Sequence, residues 1–163
     1  MGVTAVANHC TPYVLHESYT LNVLQSRTHG LDHWWRVWKN AQLVQEPGTD
    51  LTVVSLFALF HDSMRYNDND DPGHSTRGFK LWERFNQLED VEQYLTRQQQ
   101  EIFFEACAEH SGGYTSPDPT IGACWDADRL DLHRLGIWPD PHYMSTQAGI
   151  ALASNRFRNQ GGR

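Results

Sequence analysis

An adjacent histidine and aspartate, His61-Asp62, close the apolar run LTVVSLFALF (51–60). Both are strong ligands for divalent cations. A carboxylate ending a segment that reads as a buried helix is costly to desolvate unless positive charge compensates it. A second histidine, His33, stands upstream in HGLDHWWRVW (29–38), and a carboxylate cluster, DADRLD (126–131), stands downstream. His, then His-Asp, then Asp suits an ion held between several helices. Such an ion brings hydrolysis of phosphate esters first among its reactions, because it acidifies a bound water and polarises a phosphoryl oxygen.

The elements that must position these groups read as helices. Val37, Ala41 and Val44 follow His33 at spacings of four, four and three and share its face, with Asp32 placed as an N-cap. The next helix runs from about Thr52, capped by Asp50, to about His61. YNDNDDPG (66–73) is a loop by composition, and from His74 a third helix carries Phe79, Trp82 and Phe85. Residues 96–109 form a fourth helix, stopped by SGG (111–113). TSPDPT (115–120) leads into a helix over about 121–134, capped by Thr120 or Asp118 and carrying DADRLD. WPDPH (138–142) ends it, and 145–157 forms the last. No stretch alternates with period two. The expected fold is all-α, one helical domain over 1–163 with an ordered core at about 9–158 and a frayed tail at 159–163.

A chain of 163 residues is long enough for one domain with a real core. The net charge of −7 and a pI near 5.6 argue against a nucleic-acid polymer or a membrane surface as partner. A metal and a few local arginines can still reverse the field inside a pocket. The cysteines at 10, 107 and 124 form no CxxC pair, which fits inert thiols in a reducing compartment. The start, MGVTAVANHC, has neither the basic nor the apolar stretch of a secretory signal, and the apolar run at 51–60 is too short to span a bilayer. A cytoplasmic protein is expected.

In its motifs the chain resembles the HD-domain superfamily of metal-dependent phosphohydrolases, over roughly residues 29–131. The matches are H-x-x-R-V at His33–Val37, LFHD at 59–62 and ADRLD at 127–131. The resemblance implies His33, His61, Asp62 and Asp128 as metal ligands, Asp128 because the family's ligand directly follows Ala in A-D-[RK]-L. Asp126 and Asp131 would then orient Arg129 or a ligand histidine. In binuclear members such as HD-GYP phosphodiesterases, a basic residue follows the Asp by three positions, and Arg65 takes that place. Their next ligand His opens a helix as H-x-x-x-G, as His74 and Gly78 do. A further one closes the following long helix, as His110 does. His33, His61, Asp62, His74, His110 and Asp128 are thereby implied to hold two ions, with Asp62 bridging and a bridging hydroxide as nucleophile. Iron, manganese, cobalt, nickel and zinc all suit a His/Asp set. Around a single ion, His74 and His110 would instead bond substrate phosphate.

The chain also departs from that pattern. Ser111 stands where HD-GYP enzymes place a glutamate after the ligand His, and GGY (112–114) is present without a GYP tripeptide, which argues against cyclic-di-GMP. Gly30 of HGLDH takes the position of a zincin's catalytic Glu, so His29 reads as structural or as support for a ligand. DNDDPG fails as a calcium loop, with Pro72 at the fifth position and Phe79 where a bidentate Glu is needed. The expected substrate is a small phosphorylated metabolite, nucleotide-like in type, with Arg65, Arg77 and Arg129 holding its non-bridging oxygens. Asp62, Arg65 and Arg129 are the expected catalytic group. Trp34, Trp35 and Trp38 could stack a base, but at helical spacing they are more simply core. Two other classes fit the same residues: a di-iron oxygenase of the same superfamily acting on a small polyol or phosphonate, and a non-catalytic nucleotide sensor.

Overall fold

Among the described residues the helical period of the sequence runs into seven α-helices: α1 (Val3–Tyr19), α2 (Leu31–Val44), α3 (Leu51–Phe60), α4 (His74–Leu88), α5 (Arg97–Glu109), α6 (Pro119–Arg129) and α7 (Gln147–Arg158). The structure, a computed structural model, describes the backbone at residues 3–88 and 94–158, and no strand occurs there. The tail at 159–163 lies outside the described residues.

A helix made from LTVVSLFALF is apolar on every side, so it must be enclosed. That helix is α3, and α1, α2, α4, α5 and α6 all pack around it. Val53, Val54, Leu56, Phe57, Ala58 and Phe60 are buried there. Both ends of the argument for α3 hold: Asp50 caps it, accepting from the amides of Thr52 and Val53 at 2.9 and 3.2 Å, and His61 follows its last residue. The carboxylate and imidazole of Asp62 and His61 therefore emerge at the centre of the molecule.

The surrounding helices begin where their side chains can satisfy free amides. Thr96 and Gln99 form a capping box on α5. Of the two candidate caps for α6, Asp118 is the one used, with Pro119 in the first turn. Thr120 instead accepts from the Asp50 amide, tying the starts of α3 and α6 together. Asp32 does not cap α2. The helix starts earlier, with Gly30 as N-cap, and Asp32 sits in the first turn where a negative charge favours the helix dipole. The helix expected over about 121–134 ends at Arg129 and tightens into a 3₁₀ segment, Leu130–Leu135, closed by Gly136 at φ 74°. The helix α1 gave no clear signal because Pro12 lies inside it. Its buried edge is Val6, Cys10 and Val14, four residues apart.

Gly78 settles how α4 meets α3. A Cβ at this position would run into the backbone oxygen of Phe60. Only glycine allows α4 to approach so closely, and that approach carries His74, one turn earlier, to the end of α3.

Candidate metal centre

Five helices each deliver part of one polar cluster. His33 comes from α2, His61 and Asp62 from the end of α3, His74 from the start of α4, His110 from the end of α5, and Asp128 from α6. All six residues expected to be ligands are thus brought together. His33, His61, Asp62, His74 and His110 are buried, and the Asp128 side chain is 19% exposed.

The cluster divides into two groups that meet at Asp62. On one side, His33 Nε2 and His61 Nε2 are 3.1 Å apart and lie 3.4 and 3.5 Å from Asp62 Oδ2. Asp128 Oδ1 joins them at 3.3 and 3.9 Å. On the other side, His74 Nε2 and His110 Nε2 are 3.2 Å apart and lie 3.4 and 3.8 Å from Asp62 Oδ1. Ligand atoms about 2.1 Å from a common ion lie about 3.0–3.4 Å apart across right or tetrahedral angles, and most of these separations match that spacing. Both groups, His33–His61–Asp62 and Asp62–His74–His110, can therefore hold a metal ion.

The second nitrogen of each ring explains why Nε2 faces inward. Nδ1 of His61, His74 and His110 donates to the backbone oxygens of Phe57, Asp71 and Cys107 at 2.9, 2.7 and 2.8 Å. A carbonyl only accepts, so Nδ1 carries the hydrogen and Nε2 the lone pair. His33 Nδ1 bonds Asp131 Oδ2 at 2.7 Å. Two lone pairs facing each other across 3.2 Å at His74 and His110 need a positive charge between them. Burial lowers the proton affinity of His74, so a proton is a poor choice there and a cation suits it.

Charge is balanced differently at the other pair. Burial pushes His61 down to about 4, against the pull of Asp62 and Asp128. Burial works on His33 too, but hydrogen bonds to Asp128, Asp131 and Asp62 outweigh it and raise His33 to about 10. Burial would also raise Asp62 and Asp128, yet the facing histidines hold both well below the usual carboxylate range. The carboxylates are thus anionic, as ligands must be.

The supporting residues divide unevenly. Asp131 does bond a candidate ligand, His33, and is itself held by Arg36 Nε at 2.7 Å and Arg134 Nη1 at 3.2 Å. Asp126 acts on Arg129 through its charge alone and hydrogen-bonds elsewhere. Its carboxylate accepts from the amides of Ser145 and Thr146 and from the Thr146 hydroxyl, all at 2.8 Å, and so anchors the chain entering α7. Arg65 reaches Asp62 Oδ1 at 3.3 Å and the backbone oxygens of Asn67 and Asn69, bracing the ligand against the 66–73 loop. Arg77 stands apart: it pairs with both Asp71 oxygens at 2.6 Å and lies 3.9 Å over the Tyr66 ring. It does not line the cavity described next, because its guanidinium is spent on holding that loop.

A cavity of about 720 Å³ opens onto Asp62, His74, His110 and Asp128. Arg65, Arg129 and Arg134 also line it, three guanidinium groups in an acidic protein. Arg129 gives Nη1 to the Tyr143 oxygen at 2.6 Å, while its buried Nη2 has no hydrogen-bond partner. His29 lines the cavity as well, with Nδ1 2.9 Å from Asp68 Oδ1, and it belongs to neither group of ligands. The tryptophans of α2 face elsewhere. Trp34 is buried and donates to the His29 oxygen, and Trp35 and Trp38 stack at 5.3 Å on the outer side of α2.

Comparison of the chain with protein-family models, curated proteins and solved structures finds no match.

Sequence reasoning missed the segment 132–144, which supplies much of the cavity wall, and the roles of Arg36, Asp71 and Arg134. Arg36 sits three residues after His33 on one helix face, a spacing that could have linked it to the same partner. Asp71 acts within its own loop, on the Tyr66 amide and Arg77, and Arg134 joins Asp131, three residues back, to Thr28, 106 residues away. The three cysteines are free and buried, as their isolation suggested. Among the described residues no helix is long and apolar enough to cross a membrane.

Proposed function

We propose that this protein is an HD-type metal-dependent phosphohydrolase acting on a nucleotide-like or other small phosphorylated metabolite. One observation carries the reading: a single buried carboxylate, Asp62, turns its two oxygens to two histidine pairs whose Nε2 atoms converge. Divalent cations bound there would supply Lewis acidity, acidifying a water for attack on phosphorus and neutralising charge on the phosphoryl oxygens. The chain's own residues do the rest. Asp62 fixes the spacing between the two groups, and Asp131 holds His33 in one tautomer and orientation. Arg65 keeps Asp62 in place and brings positive charge to the cavity wall. Arg129 brings a guanidinium charge to the cavity wall beside Asp128, where it would stabilise a phosphate oxygen.

Three arginines on one cavity favour an anionic substrate over a neutral polyol, and a phosphonate suits them as a phosphate ester does, so oxygen consumption separates oxygenation from hydrolysis. The test is to purify the chain without chelators and supply a panel of small phosphomonoesters and phosphodiesters. Release of inorganic phosphate or of a phosphomonoester, abolished by chelation, is the expected result. A protein that carries two irons, consumes dioxygen with a polyol or phosphonate and cleaves no phosphate ester would overturn the reading.

A further inference from the structure

The cavity changes character from its buried end to its mouth. The ligand side chains at the buried end are polar. The mouth is built by Leu135, Ile137, Trp138 and Tyr143, which are 44, 52, 39 and 49% exposed, with Leu132 and Met144 beside them. An exposed Leu, Ile, Trp and Tyr within nine residues of chain, all facing one cavity, is the composition of a ligand-contacting wall.

This wall is held by the same residues that form the polar end. Arg129, next to the ligand Asp128, fixes the Tyr143 oxygen, and Asp126 fixes the amides of Ser145 and Thr146. Arg134 is tied to the Thr28 and Asp131 oxygens at 2.8 and 3.0 Å. Asp140 Oδ1 accepts from the His142 amide at 2.8 Å. The two charged side chains on this stretch thus spend Arg134 Nε and Nη1 and Asp140 Oδ1 on holding the wall. The cavity is also far larger than a phosphate alone requires.

We infer that the 132–144 wall selects the organic part of the substrate, and that the substrate is a phosphate ester carrying a flat, apolar ring. The phosphate group lies among Asp62, His74, His110, Asp128 and the arginines, and the ring lies against Ile137, Trp138 and Tyr143. This inference rests on the phosphohydrolase reading above and adds the substrate class to it.

Two phosphonates, which lack the ester bond, separate the two claims. The full chain, loaded with metal, is titrated calorimetrically with methylphosphonate and with naphthylmethylphosphonate. The naphthyl compound should bind at least about tenfold more tightly, the order expected for burying an aryl ring. In the double variant Ile137→Ala, Trp138→Ala that advantage should fall below about threefold. Methylphosphonate affinity and metal content should not change, because both side chains are exposed and neither belongs to the two candidate metal groups. Equal affinity for the two compounds, or an advantage that survives the double variant, overturns the inference and leaves the hydrolase reading standing. Failure of both compounds to bind overturns the hydrolase reading, and this inference with it.

Discussion

Asp62 stands between the two histidine pairs, with Oδ2 toward His33 and His61 and Oδ1 toward His74 and His110. Asp62→Ala should remove the shared ligand while leaving the cap and core of α3 in place. We expect metal loss and a fall in activity of at least about 100-fold, beyond what loss of an orienting partner alone produces. Far-ultraviolet circular dichroism should stay helical, and wild-type turnover in this variant would show that Asp62 holds no essential ion. His33 and His61 give the pH dependence of the metal-free chain. His33, raised to about 10, contributes stability that is fully present below its ordinary value of about 6.5 and is lost as pH rises toward 10. His61, lowered to about 4, contributes stability that is present above about 6.5 and is lost as pH falls toward 4. The thermal midpoint of chelated protein should therefore peak near pH 6.5 and fall on both sides. A cation at His33 must displace its proton, so metal loading at pH 8 should release about one proton per chain. Titration calorimetry in two buffers of different ionisation heat measures this, and no released proton would contradict it. At this scale the sequence was informative where ligand types stood side by side or in a motif. It anticipated a supporting role for Asp131 toward Arg129 or a histidine but did not single out His33, 98 positions away, and it did not foresee the partners of Asp126, which lie 19 and 20 positions away.

The helices place the ligands by their ends more than by their faces. His61 and Asp62 follow α3, His74 starts α4 and His110 follows α5, so a small shift along an axis moves a ligand atom directly. Gly78→Ala tests this coupling. The added methyl collides with backbone at Phe60, so α4 must move away, at a cost of about 1–3 kcal/mol in stability. The same movement should withdraw His74 and weaken the second group's hold on metal while the first keeps its ion. Thermal unfolding and metal content measure the two effects, and full metal content with unchanged stability would show that α4 does not need its close approach. The helices around the site were legible because apolar spacing and Asp50, Thr96 and Asp118 mark them out. α1 was not, since its proline and interspersed polar residues hide a narrow buried edge. Asp32 misled because an aspartate near a helix start serves as a cap or as a first-turn charge, and tertiary context decides between them.

As a whole the molecule is an apolar helix wrapped by five others, with charged groups gathered in the interior where α3 ends and Asp126 buried at the entry to α7. That economy is what the sequence displayed most clearly: the apolar run and the His-Asp pair are neighbours in the chain and remain the core and the site in the fold. The wall at 132–144 escaped notice because its short 3₁₀ turns carry no helical period. The central claim is that the interior charge is organised for two ions that share Asp62. Elemental analysis of protein purified without chelators tests it most directly, with wild type beside His74→Ala and His110→Ala. About two ions per chain in the wild type, falling toward one in each variant, is the predicted result. A wild-type chain with one tightly bound ion, no second ion under excess metal and no loss in either variant would contradict it.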